Sequence, residues 1–170
     1  MIEAPPTRAR AGRNVSGEAL MADFDVLSFN HTAFTVSDLD EVIPFFRDLL
    51  GFELTSRAPR EARLIERMTA IAGADLEIAY VVGPGHRIEL IEYRAPQDRE
   101  VVVPRLCDAG AAHVALNVRG IEALVAASKA YGFTAVGEII RIDAGPNQGS
   151  KVVYLRGPDG ITVEYLEPPA

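Results

Sequence analysis

One cysteine, no tryptophan, three histidines and fewer basic than acidic residues are the scarcities of this 170-residue chain. The lone Cys107 rules out an internal disulfide and reads as a small linker residue of a protein kept in a reducing compartment, so a cytoplasmic location is expected. No neighbouring base marks it as a catalytic thiol. Lys and Arg number 17 against 24 Asp and Glu, a formal net charge of −7. A phosphate backbone or an anionic membrane surface demands clustered cations, so neither is an expected partner. No apolar run approaches the ~20 residues that span a bilayer. The first 23 residues lack the apolar stretch of a secretory signal and read as a disordered extension, with Met21 as a second candidate start.

What is present is a repeat of half the chain's length. Residues 26–36 read as a strand, and Ser37-Asp38 caps a helix carrying Leu39, Val42, Ile43, Phe46, Leu49 and Leu50 at helical spacing. Pro44 interrupts that helix and Gly51 closes it. Residues 52–55, 76–82 and 87–93 read as strands. Residues 57–73 form a charged, amphipathic loop with a helical turn or two, a candidate lid. After a Pro-containing linker at 96–110, the second half repeats the order: strand 113–118, helix 121–131, strands 135–142, 151–155 and 161–166. Gly132-Phe133 closes its helix as Gly51-Phe52 closed the first, and Tyr80-Val81-Val82-Gly83-Pro84 aligns with Tyr154-Leu155-Arg156-Gly157-Pro158. The expected class is α+β, two tandem βαβββ modules at 24–95 and 111–170 making one domain, because so long a period marks duplication and not a solenoid.

The repeat places a His and a Glu in each half. Asn30-His31-Thr32-Ala33-Phe34 matches Ala112-His113-Val114-Ala115-Leu116, and Ile88-Glu89-Leu90 matches Val163-Glu164-Tyr165. A carboxylate inside an apolar strand is costly unless paired or bound to a cation. Alternation along each strand puts His31, Glu89, His113 and Glu164 opposite the bulkier apolar neighbours. Their recurrence at matched positions predicts one divalent-metal site made by all four. Nitrogen and hard oxygen donors suit Zn, Ni, Co, Mn or Fe(II) without choosing among them. His86, beside Gly83-Pro84-Gly85, reads as a surface residue.

Residues 27–168 resemble the vicinal oxygen chelate superfamily, which includes glyoxalase I, methylmalonyl-CoA epimerase, extradiol dioxygenases and antibiotic-resistance proteins. The motifs that carry the resemblance are His31 to Leu39, Leu50-Gly51-Phe52, Ile88-Glu89-Leu90, His113-Val114-Ala115-Leu116 and Gly157-Pro158-Asp159-Gly160 before Val163-Glu164. The resemblance implies curved mixed sheets around one divalent cation, ligands at His31, Glu89, His113 and Glu164, and a homodimer.

A substrate with adjacent oxygens would chelate such an ion, and a proton next to its carbonyl would be removed through an enediolate. The expected enzyme is therefore a glyoxalase-type lyase or an epimerase, with Glu164 or Glu89 as base. Glu77, taken to share the cleft, is a candidate second acid–base group. Lys151, at the corresponding place in the second half, is a candidate anchor for a substrate anion. Both also read as exposed strand residues or a cross-cleft ion pair. Asn147, in the loop before the third strand of the second half, is a candidate substrate contact. The rival readings are an extradiol-type dioxygenase and a non-catalytic antibiotic-binding protein.

Overall fold

The first strand, β1 (Thr32–Val36), runs parallel to β4 (His86–Ala95). Antiparallel pairing then joins β4 to β3 (Asp75–Gly83) and β3 to β2 (Glu53–Pro59), giving a four-stranded mixed sheet in the order β1-β4-β3-β2. The second half builds the same mixed sheet from β5 (Val114–Asn117), β9 (Thr162–Glu167), β8 (Lys151–Arg156) and β6 (Thr134–Ala135), with β7 (Ile140–Arg141) also on β8. The computed structural model describes residues 24–169. Residues 24–30 stand apart from the body that runs from His31 onward. The expected disordered extension at 1–23 lies outside the described residues.

In each half a helix follows the first strand. Helix α1 (Leu39–Pro44) starts at Asp38, whose side chain accepts the Asp40 N–H, and buries Leu39, Val42 and Ile43. Pro44 has no N–H to give the preceding turn, and the chain widens there into a π-helical turn at Phe45–Leu49 without breaking. Helix α3 (Ile121–Ser128) ends in a tighter turn at Lys129–Tyr131. The two helical layers meet: Phe45 stacks on Phe133 with ring centroids 3.5 Å apart, and both are fully buried. Around them Val36, Leu39, Val42, Phe46, Ile88, Leu90, Val163 and Tyr165 form one core shared by both halves. Burial of each such side chain contributes on the order of 2 kcal/mol.

A paired glycine fixes how closely each helix end sits on its sheet. A Cβ on Gly83 would lie 2.4 Å from the Phe52 ring, and one on Gly157 would lie 2.3 Å from Phe133. The repeat of Gly-Pro after the tyrosine strand therefore marks a close approach of backbone to aromatic ring.

Four elements differ from the sequence-based expectation. Strand β1 begins at Thr32, where its pairing with Ile88 begins, and the exposed Phe24, Val26, Leu27 and Phe29 belong to no strand. Strand β2 runs on to Pro59 because β3 supplies partners that far. The stretch expected as a loop contains an eight-residue helix, α2 (Ala62–Thr69), whose N-terminus Glu61 caps by accepting the Arg63 and Leu64 N–H groups. The single strand expected at 135–142 is two dipeptides, β6 and β7, with Gly137 between them.

Candidate metal centre

Strand register decides which side chains share a face. Across the β3–β4 ladder Tyr80 stands opposite Glu89, and in the parallel pair Ala33 stands opposite Glu89. His31, Tyr80, Arg87 and Glu89 therefore occupy the face turned away from α1, while Ala79, Val81, Ile88 and Leu90 enter the core. The second sheet copies this. Tyr154 stands opposite Glu164, and Ala115 opposite Glu164, which puts His113, Tyr154 and Glu164 on the face away from α3.

Each histidine reaches its own glutamate. His31 Nε2 lies 3.1 Å from Glu89 Oε2, and His113 Nε2 lies 3.0 Å from Glu164 Oε2. The carboxylates are the deeper partners, with side chains 10% and 13% exposed against 32% and 41% for the rings. A tyrosine meets each pair edge-on: the His31–Tyr80 centroids are 6.0 Å apart and the His113–Tyr154 centroids 5.2 Å. The Tyr80 hydroxyl donates to Glu89 Oε1, and that bond holds the phenol above its ordinary pKa. Burial, more than Glu164, raises Tyr154.

The structure brings the four expected ligands together as two pairs. Among the described residues no three His, Cys, Asp or Glu side chains gather closely enough to hold an ion. The helices explain this. Both pack into the shared core on one side of their sheets, which leaves each His–Glu pair on the far side of its own sheet. A cavity of 180 Å³ bordered by Ala33, Thr35, His113 and Thr162 lies between β1 and the start of β5.

Glu77 and Lys151 are not where a shared cleft requires them. Glu77 pairs in register with Glu92, three residues beyond Glu89 and so on the opposite face. There Arg94 Nη2 binds its Oε2 at 2.7 Å and Arg57 Nε lies 3.4 Å from its Oε1. Lys151 pairs in register with Glu167, again on the helix side, and its Nζ holds Glu122 at 2.6 Å and Glu167 at 3.2 Å. Neither faces the metal-ligand candidates. Asn147 lies in the exposed loop after β7, its carbonyl accepting the Ser150 N–H, and it makes no hydrogen bond to either pair. His86 is half-buried, with Nε2 2.9 Å from the Thr32 hydroxyl, and braces β1 against β4.

Sequence reasoning passed over two kinds of residue. Tyr80 and Tyr154 were visible only as aligned letters of the repeat. Glu92 and Glu167, three places after each ligand candidate, receive helix N–H groups. Glu92 accepts from Leu39 at 3.0 Å, and Glu167 accepts from Gly120 and Ile121. The repeated Glu-x-x-Glu was the available signal.

Comparison with known proteins agrees with this architecture. Residues 28–165 match the family model described as the Glyoxalase/Bleomycin resistance protein/Dioxygenase superfamily. A 2-epi-5-epi-valiolone epimerase from an Actinomyces species is 32% identical over 149 residues, covering 85% of this chain and 81% of the relative. A lactoylglutathione lyase from Haemophilus influenzae is 28% identical over 144 residues, 81% of this chain and 90% of the relative. Among solved structures, a glyoxalase family protein from Bacillus cereus superposes with a TM-score of 0.76 at 29% identity, covering 88% of this chain and 99% of that one.

Proposed function

This chain belongs to the glyoxalase/bleomycin resistance protein/dioxygenase superfamily, and from that premise we propose that it is a divalent-metal-dependent epimerase of a small, oxygen-rich ketone. The observation that carries the reading is the matched His–Glu pair on each sheet, with its carboxylate nearly buried and its imidazole at the surface. The relative that is an epimerase by name, at 32% identity over most of both chains, favours epimerisation within the superfamily's chemistry.

The donor set fits such an ion. Two imidazole nitrogens and two carboxylates are borderline and hard ligands of the kind that Zn, Ni, Co, Mn and Fe(II) accept. A nearly buried carboxylate is stabilised by a cation beside it. One pair alone supplies two donors, too few for a firmly held ion, so the complete site joins the His31–Glu89 pair of one copy to the His113–Glu164 pair of a second. The chain then works as a homodimer. The ion, when bound, polarises the substrate carbonyl and offsets the charge that develops on its oxygen. Glu164 takes the proton from the carbon next to that carbonyl. Water on the Glu89 side gives the carbon the proton that completes the inversion, and the hydroxide left behind is neutralised by the proton held on Glu164, which restores that carboxylate.

The test is deuterium incorporation from heavy water into cyclic polyhydroxy ketones, with metal analysis alongside. The expected result is about one ion per chain and exchange that stops in Glu164→Gln. A reconstituted protein without a bound divalent ion sinks the proposal. Turnover of a glutathione hemithioacetal in place of ketone exchange favours the second reading, a glyoxalase-type lyase, which the 28% identical relative supports.

A further inference from the structure

Beside β6, the linker between the halves leaves a cleft of 480 Å³. Val103 and Leu106 of the linker and Val136 after β6 give it apolar walls, and each is still well exposed. Cys107, the chain's single thiol, also lines the cleft and is exposed. So does Arg156, which stands in register between Thr134 and Thr162. Its side chain is half-buried, and its Nη1 donates to the Pro104 carbonyl at 2.6 Å. Among the described residues its Nε is covered without a hydrogen-bond partner, and no carboxylate makes an ion pair with it. The other arginine of the cleft, Arg105, is matched by Asp108. A partly buried guanidinium without an acidic partner is costly. The duplicated sheet does not call for one, since the repeat puts Val82 at the matched place in the first half.

We propose that this cleft is a binding site for a small monocarboxylate with an apolar body, its carboxylate on Arg156 and its hydrocarbon between Val103, Leu106 and Val136. A mostly apolar cavity of this size with one placed charge is the common build of a small-molecule site. One unmatched guanidinium answers a single negative charge, which suits a carboxylate better than a phosphate dianion. The carboxylate gains charge-assisted hydrogen bonds from Arg156, and the apolar body covers side chains that the fold leaves exposed. None of the four metal-ligand candidates lines the cleft, so the site stands or falls apart from the reading above.

Cys107 reports occupancy directly. The full chain is titrated with octanoate, and with octanol as the neutral control, while a neutral aromatic disulfide modifies the thiol. Calorimetry measures the same binding on Cys107→Ser, and circular dichroism establishes that each variant is folded. Octanoate at about ten times its Kd should slow modification ~10-fold, as mass action requires of a shielded thiol. It should bind at least ~10-fold tighter than octanol, the weight of a hydrogen bond to a charged group. Arg156→Gln should remove that preference, Arg156→Lys should keep part of it, and Leu106→Gln should weaken both ligands alike. The proposal is overturned by octanoate that fails to bind, by octanol binding as tightly, or by a preference that survives Arg156→Gln. Octanoate binding that leaves the thiol rate unchanged lies elsewhere on the molecule and overturns it too. A thiol shielded before any ligand is added assigns the cleft to protein, a second copy where the shielding grows with concentration, and has the same consequence. Each of these outcomes leaves the metal reading standing.

Discussion

The two halves are alike on the side facing their helices and different on the side carrying the His–Glu pairs. On the helix side the correspondence runs residue for residue: Ile88 and Leu90 with Val163 and Tyr165, Phe52 with Phe133, Glu92 with Glu167. On the site side the first half adds α2, which seats Ile65 on Leu76, Ile78, Ile91 and Tyr93. The second half has no counterpart and carries β6, β7 and the exposed loop that follows. The lesson is that the duplicated core sets the positions of the ligand candidates, and what lies over them varies freely. Leu64 and Met68, exposed on α2, belong to that varying layer.

The sharpest way to break the comparison is to disable one pair at a time. His31→Ala and His113→Ala should each abolish metal-dependent exchange, at least ~100-fold. Mixed and allowed to exchange subunits, the two inactive proteins should recover about a quarter of wild-type activity, because half the dimers then hold one intact site of two. No recovery would mean that each chain completes its own site.

Smaller effects test the helix side. Gly157→Ala and Gly83→Ala each drive a methyl into a buried ring, and each should cost about 1–3 kcal/mol by denaturant unfolding. The second-half variant should suffer more, because Phe133 is locked in its stack on Phe45 and Phe52 is less enclosed. Ile65→Ala, on α2, should cost about 2 kcal/mol and raise hydrogen exchange in α2, with the second half unaffected.

The smallest effect is a pH dependence. Backbone N–H groups at the start of α3, with Lys151 beside them, hold Glu167 below its ordinary pKa. Its stabilising contribution is complete above the ordinary glutamate value and is lost as pH falls through the lowered one. Glu167→Gln should flatten that part of the acid-unfolding profile, read by circular dichroism.

Much of this was legible in the sequence. The repeat, the helix between the first and second strands of each half, the Gly-Pro turns and the two His–Glu pairs could all be read from it, while the close packing of those turns on Phe52 and Phe133 could not. The face of β3 could not. Leu76, Ile78 and Tyr80 alternate with Glu77, Ala79 and Val81, and both sets are largely apolar because α2 covers one face and α1 the other. With both sides buried, alternation loses its direction, and only the Tyr80–Glu89 register shows that Glu77 points away. The division of the four ligand candidates into two separate pairs was equally hidden, because it depends on how the halves pack and not on any residue's own preference.

The Glu-x-x-Glu of β4 and β9 has one more consequence. A strand that slips by a single residue turns every side chain to the wrong face, which here would sink Glu89 or Glu164 into the core and lift a leucine or tyrosine into the site. The outer glutamate forbids this. It is tied to the first turn of a helix that the neighbouring strand leads into, so each ladder carries its own alignment key.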